Sequence, residues 1–499
     1  MAGLWVKKDL GQLKAEAAES EHSLRRALGP VDLISLGIGA IVGAGIFVLS
    51  GIAAQHTGPA LVLSVILSGV GCAFAGLCYA EFSSMIPVAG SAYTYSYATV
   101  GEFLAWIIGW DLILEYAVGA TTVSIGWSGY LVSILQKDLH IPFPAELAGS
   151  PWQTITLADG TVVHPYFNFP AAFIIAAITT LLIIGIRESA NFNTVIVLVK
   201  VGVVIVFILV GALYVHRANW HPFLPANQGT FGEFGFTGVL RGAGVIFFAY
   251  IGFDAVSTAA QEARNPERDM PIGILGSLAI CTVLYILVVL VLTGVIHFTQ
   301  LNVPDPLAVA IDSTPARWWL SPIVKLGAIL GTTAVILVMM LGQTRVFYSM
   351  SHDGLLPKAF GVIHPRFRTP YISTALTGVC VAVAGGLLPI SIVGQLVSIG
   401  TLLAFVIVSA SVVAMRKLHP ELPRPFRTPV VWLVAPLGIL VCGAQMIGLP
   451  GDTWIRLVVW LVIGQVIYFT YSRRHSVLQT QERLNQVGSA AAPVAKEDV

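Results

Sequence analysis

The stretch Gly37 to Gly51, GIGAIVGAGIFVLSG, constrains the rest of the chain. It lies inside an apolar run from about Val31 to Ala54. Crossing a bilayer takes roughly 20 residues, so the run is long enough to span. Yet Gly37, Gly39, Gly43 and Gly45 crowd its centre, and each glycine in a helix interior costs about 1 kcal/mol relative to alanine. A helix so loaded is suited to opening in the middle. An opened helix leaves carbonyls bare on its first half and N–H groups bare on its second. In lipid those groups must find partners, so a break persists only inside protein or beside a cavity. A ligand with both a carboxylate and an ammonium satisfies both sets. A plainer reading also fits: Gly39 and Gly43, four apart, form a small-residue face on which two membrane helices touch. The second half of the chain must decide.

Composition sets the class. Of 499 residues, 56% are hydrophobic and 11% charged, and mean hydropathy is +0.82. Soluble domains carry about 25% charged residues, so this is a multi-spanning membrane protein with little room for a soluble domain. A net charge of +1 gives no reason to expect nucleic acid. Cys72, Cys78, Cys281, Cys380 and Cys442 all fall in apolar runs and form no CxxC pair. Disulfides, a zinc site or any other metal or cofactor are therefore not expected. The first 30 residues are polar and charged, unlike a secretory signal.

Twelve apolar runs follow one another, at about 31–54, 60–84, 103–134, 168–186, 192–215, 238–261, 271–296, 321–350, 371–388, 391–415, 429–448 and 454–472. The N-terminal tail, 1–30, carries Lys7, Lys8, Lys14, Arg25 and Arg26, and reads as cytoplasmic with an amphipathic turn before Gly29-Pro30. Basic residues orient the spans. The same side receives Arg187, Arg264, Arg268, Lys358, Arg366, Arg368, Arg416, Lys417, Arg424, Arg427, Arg473 and Arg474, against Lys137, Arg217 and Arg317 on the other. Both termini are expected in the cytoplasm of a cell-membrane protein. The loop 136–167, rich in proline, reads as an outer cap or irregular loop. The tail 473–499 reads as cytoplasmic, and as disordered beyond Ser476.

The sixth run, GVIFFAYIGFDAVSTAAQEARNPERDMP, has Gly252 near its middle, followed by Phe253 and Asp254. An acid at membrane depth costs about 3 kcal/mol on insertion scales and normally faces protein or a cavity. This run comes five helices after the first, an odd number, so the two runs cross in opposite directions. Interrupted helices at matching positions of two halves are the sequence mark of a transporter site. The expected repeats cover about 31–215 and 238–415, with the helices of 429–472 outside them.

Three stretches carry a resemblance. GIGAIVGAGIFVLSG resembles the glycine-rich break of the amino acid–polyamine–organocation superfamily. FFAYIGFDAVSTAAQEARNPERDMPIGI and GQTRVFYSMSHDGLLPKAF resemble the sixth and eighth helices of its cationic amino acid transporter family, in the prokaryotic twelve-helix form. The resemblance covers about residues 25–415. It implies an all-α membrane protein of twelve transmembrane helices, with the leucine-transporter-type 5+5 inverted repeat and broken first and sixth helices. It places the α-carboxylate of an L-amino acid on N–H groups of Gly43, Ala44 and Gly45, beside Ile41. It places the α-ammonium on carbonyls of Phe248, Ala249 and Ile251. Half-helix ends favour these charges by up to about 2 kcal/mol in partly buried sites.

Lys200, in VIVLVKVGVVIVF, has no polar neighbour along the chain and sits too deep to snorkel. Apolar surroundings favour the neutral amine, and a proton-coupled carrier needs a group that exchanges a proton. In matching family members a fifth-helix lysine takes the place of a sodium ion. Lys200 is therefore expected to carry the coupling proton or mimic the ion; a structural tie to carbonyls of the first helix is the other reading. Asp254 and Glu115, in WDLILEYAVG with Asp111 one turn earlier, are further candidates for proton coupling, against a packing role. Met339, in AVILVMMLGQTR, stands where animal relatives have a small residue, and would shorten the side-chain pocket unless it faces lipid. This favours a small neutral amino acid, with a cationic one still open.

The expectation is a secondary active transporter importing an L-amino acid with a proton by alternating access. The alternative is an amino acid or polyamine exchanger without net proton coupling. A channel would need a continuous polar path or a filter loop, and an enzyme clustered catalytic residues at membrane depth; the sequence has neither.

Overall fold

The computed structural model describes residues 6–8, 28–85, 91–156, 161–185, 190–227 and 229–482. The expected amphipathic turn before Gly29 and the orienting Arg187 lie outside them. Twelve apolar helical elements appear where the apolar runs place them. The first, α1, comes in pieces: Pro30–Ile41, then Gly45–Leu49 running on into Ser50–Thr57. Next come α2, Leu61–Met85; α3, Glu102–Asp138; α4, Phe169–Ile184; and α5, Ala190–Gly211. The sixth, α6, is again in pieces: Gly235–Ile246 and Phe247–Tyr250, then Asp254–Glu262. The rest are α7, Pro266–Val295; α8, Arg317–His352; α9, Tyr371–Leu387; α10, Ile390–Leu418; α11, Val431–Gly448; and α12, Gly451–His475.

Packing follows the two-half pattern. Helix α1 lies against α7, and its counterpart α6 lies against α2. Helix α3 packs on both α4 and α8, and α8 packs on α9 in the same way. The pairs α2–α7, α3–α8 and α4–α9 join equivalent helices across the halves. Small residues permit the close approaches: a Cβ on Gly273 of α7 would sit 2.7 Å from the Leu33 side chain of α1.

Two short helices were not evident as apolar runs. Ser91–Thr99 joins α2 to α3 and buries Tyr93, Tyr95 and Tyr97. Pro306–Asp312 lies between α7 and α8 and packs on both. The loop 136–167 holds a short hairpin, Ile155–Thr156 with Val162–Val163.

The described segments 6–8 and 476–482 both meet Glu102 or its neighbours. The Glu102 N–H donates to the Val6 carbonyl at 2.9 Å, and Lys8 pairs with Asp353 at 2.9 Å. The Glu102 carboxylate is fully buried and accepts hydroxyls of Tyr97 and Tyr468, each at 3.0 Å, and that of Ser476. These bonds correct one expectation. The helix ends at His475 and Ser476 is non-helical, but 477–482 form a further helical stretch, tied down because Ser476 and the buried Gln479 complete the shell of Glu102; the rest of the tail lies outside the described residues.

Candidate functional site

The break in α1 comes from its glycines. Helix geometry ends at Ile41, Val42 turns extended with ψ 98°, and the helix resumes at Gly45. In α6, Ile251 is extended with ψ 136° and Gly252 has φ +114°, a region that L side chains rarely enter. Each break is pressed against the other helix. A Cβ on Gly45 would collide with the backbone of Ala249, and one on Gly252 would lie 2.9 Å from the Ala40 carbonyl. The ends of the same helices are also tied: Leu28 N–H donates to Glu262 O at 3.0 Å, and Arg264 N–H to Leu28 O at 2.9 Å.

The bare carbonyls at the breaks have found partners. Lys200 of α5 donates from Nζ to Gly39 O at 2.6 Å and to Val42 O at 3.2 Å. It is only 1% exposed, and its aliphatic stem lies on Gly331 of α8. The isolation of Lys200 along the sequence is thus not isolation in space. The Tyr285 hydroxyl of α7 stands 2.9 Å from Ile41 O and 3.0 Å from Ala249 O, sharing one proton between the two breaks. Phe248 O accepts the Ile251 N–H at 3.2 Å. A carbonyl has two lone pairs, so these bonds leave acceptor capacity at Phe248 and Ala249. On the other half of α1, Gly43, Ala44 and Gly45 stand at the new helix start, where N–H groups lack a carbonyl one turn back. Ile41, Ala44, Phe248, Ala249 and Ile251 are all buried, so the breaks are occluded.

A second polar cluster lies beside the α6 break. Tyr116 donates to Asp254 Oδ2 at 3.3 Å, and Glu115 lies near Asp254. Asp111 is buried as well, against Gly400 of α10. Both oxygens of Asp111, both of Glu115 and Oδ1 of Asp254 have no hydrogen-bond partner among the described residues. The structure therefore brings Glu115 and Asp254 together, while Lys200 of α5 is bonded to carbonyls of the α1 break.

Met339 does not face lipid. It is buried, and its sulfur would lie 3.0 Å from a Cβ on Gly119 of α3. Val335, one turn earlier on α8, packs against Gly43 in the α1 break. Residues four apart share a helix face, so Met339 is on the face that α8 turns towards the break.

Tyr285, Tyr116 and Tyr130, whose hydroxyl donates to Phe47 O at 2.6 Å, were not singled out in the sequence. The available signal was tyrosine within apolar runs, since a buried hydroxyl needs a partner.

Sequence comparison settles the family. The amino acid permease family model matches residues 28–470. The chain belongs to that family. This permease is 46% identical over 480 residues to the methylthioribose transporter of Bacillus subtilis, covering 96% of this chain and 100% of the relative. It is 47% identical over 476 residues to the branched-chain amino acid permease of Bacillus subtilis, covering 95% and 98%. The vacuolar cationic amino acid transporter 4 of Arabidopsis thaliana is 36% identical over 424 residues, covering 84% of this chain and 68% of the relative. The permease is therefore a multi-pass membrane transporter and not an enzyme.

Proposed function

We propose that this permease imports a small neutral L-amino acid with a proton, by alternating access, across a cell membrane with both termini in the cytoplasm. The observation that carries the reading is the meeting of two broken helices whose peptide ends are of opposite polarity. The carboxylate of the substrate binds the N–H groups of Gly43, Ala44 and Gly45, beside Ile41. The ammonium binds carbonyls of Phe248, Ala249 and Ile251. Lys200 couples the proton: as an ammonium it holds Gly39 and Val42 in place, and as a neutral amine it releases the first half of α1. Asp254 and Glu115 are the further proton-bearing groups, next to the α6 break. Met339 closes the side-chain end of the site.

The substrate class is supported by two features. Met339 fills the α3–α8 contact with an apolar thioether. The two Bacillus relatives are named for cargoes without a cationic side chain, whereas cationic names belong to relatives of lower identity.

Purified protein in proteoliposomes tests this. With an inward proton gradient, small and branched neutral amino acids accumulate, and a protonophore abolishes the accumulation. Uptake that ignores the gradient and needs amino acid inside would replace symport by exchange. Uptake of methylthioribose with no amino acid uptake would overturn the substrate.

A further inference from the structure

Away from the breaks lies an open groove of about 710 Å³. One wall is the start of α7 and the other is the α10–α11 connection, with Phe426. On α7 the lining residues Arg268, Ile272 and Gly276 recur at spacings of four, with Leu275 three residues on from Ile272, and so form one stripe. The stripe climbs about 12 Å from Arg268 to Gly276 at 1.5 Å per residue. Its lower end is charged: Glu267 and Arg268, adjacent and of opposite sign, are both exposed. Above them the walls are apolar. This polarity profile is that of a membrane boundary, with headgroup chemistry below and acyl chemistry above.

The second wall is held in place. Phe426 N–H donates to Ser84 Oγ at 3.3 Å. On either side of it, Thr428 N–H donates to the buried Glu81 carboxylate at 2.8 Å, and Arg424 Nε lies 3.4 Å from the same group. At the far end, a Cβ on Gly276 would sit 3.0 Å from Ile34 in the first half of α1. An occupant of the groove therefore lies beside the half-helix that Lys200 holds.

We propose that the groove seats one phospholipid whose headgroup carries both a phosphate and a primary ammonium, as in phosphatidylethanolamine. Arg268 takes the phosphate, Glu267 takes the ammonium, and an acyl chain follows Ile272 and Leu275 against Phe426. A phosphatidylglycerol presents the same phosphate but leaves Glu267 facing an anion without a counter-charge.

Native mass spectrometry of the full-length protein, offered equal dioleoyl phosphatidylethanolamine and dioleoyl phosphatidylglycerol, tests this. Wild type retains one phosphatidylethanolamine with a preference of about tenfold over phosphatidylglycerol. The double variant Glu267→Gln, Arg268→Gln alters only exposed side chains and loses the preference. Leu275→Trp fills the apolar wall and loses the adduct. Equal retention of the two lipids by wild type, or an unchanged preference in the double variant, overturns the proposal. Neither result depends on what the permease transports.

Discussion

Tyr285 places its hydroxyl 2.9 Å from the carbonyl of Ile41, the last helical residue before the α1 break. The same hydroxyl lies 3.0 Å from Ala249 O at the α6 break, so one side chain from α7 registers both interruptions. Removing it leaves two buried carbonyls short of a donor, and an unsatisfied buried polar group costs about 1–3 kcal/mol. Tyr285→Phe keeps the ring packing against Tyr250. The expected outcome is a lower melting temperature for the purified protein and weaker substrate affinity. If both are unchanged, the hydroxyl does not organise the breaks.

Lys200→Ala deletes the donor that caps Gly39 and Val42. Proton-driven accumulation in proteoliposomes is expected to vanish, while substrate binding, followed by thermal shift or scintillation proximity, is partly kept. A purely structural lysine predicts loss of binding and transport together. PH-driven uptake that survives in the alanine variant would remove Lys200 from coupling.

Much of this arrangement was legible in the order of residues. Four glycines in the first apolar run and Gly252 in the sixth locate the breaks, because a helix pays for each in stability at a spot where nothing local repays it. Twelve apolar runs locate the spans, since lipid demands continuous apolar length. That Lys200 ties to carbonyls of the first helix was one of the two readings open in the sequence, and the structure shows that contact at Gly39 and Val42. Which carbonyls it meets, and that Tyr285 meets Ile41 and Ala249, was illegible, because both depend on how α5 and α7 pack on α1, and a single chain gives no distance between helices. The polar segment 476–482 misled for the same reason: it is held by Glu102, which lies far away in sequence.

Met339 and Val335 share the face of α8 turned to the α1 break, with Met339 packed on Gly119. Met339→Ser removes a flexible thioether and opens space along α3. Competition profiles are expected to widen towards longer or cationic side chains, with affinity for small neutral substrates reduced severalfold. A profile that does not move places Met339 outside the pocket.

Glu81 anchors α2 to α10 and to the connection that follows it. Arg416 donates to its carboxylate from Nε at 3.0 Å and from Nη2 at 2.6 Å, and Thr428 N–H adds a third bond at 2.8 Å. Glu81 is buried while Arg416 is partly exposed. Breaking a buried pair from one side costs about 3–5 kcal/mol, because a charge is left behind without its partner; the exposure of Arg416 puts this case at or below the lower end. Arg416→Met is therefore expected to destabilise the protein clearly. Adding Glu81→Met removes the stranded carboxylate and should recover part of the loss, although Arg424, also beside Glu81, then loses a neighbour. Thermal melts of wild type, both single variants and the double variant measure the coupling. Additive single effects would mean that the pair contributes nothing beyond its separate contacts.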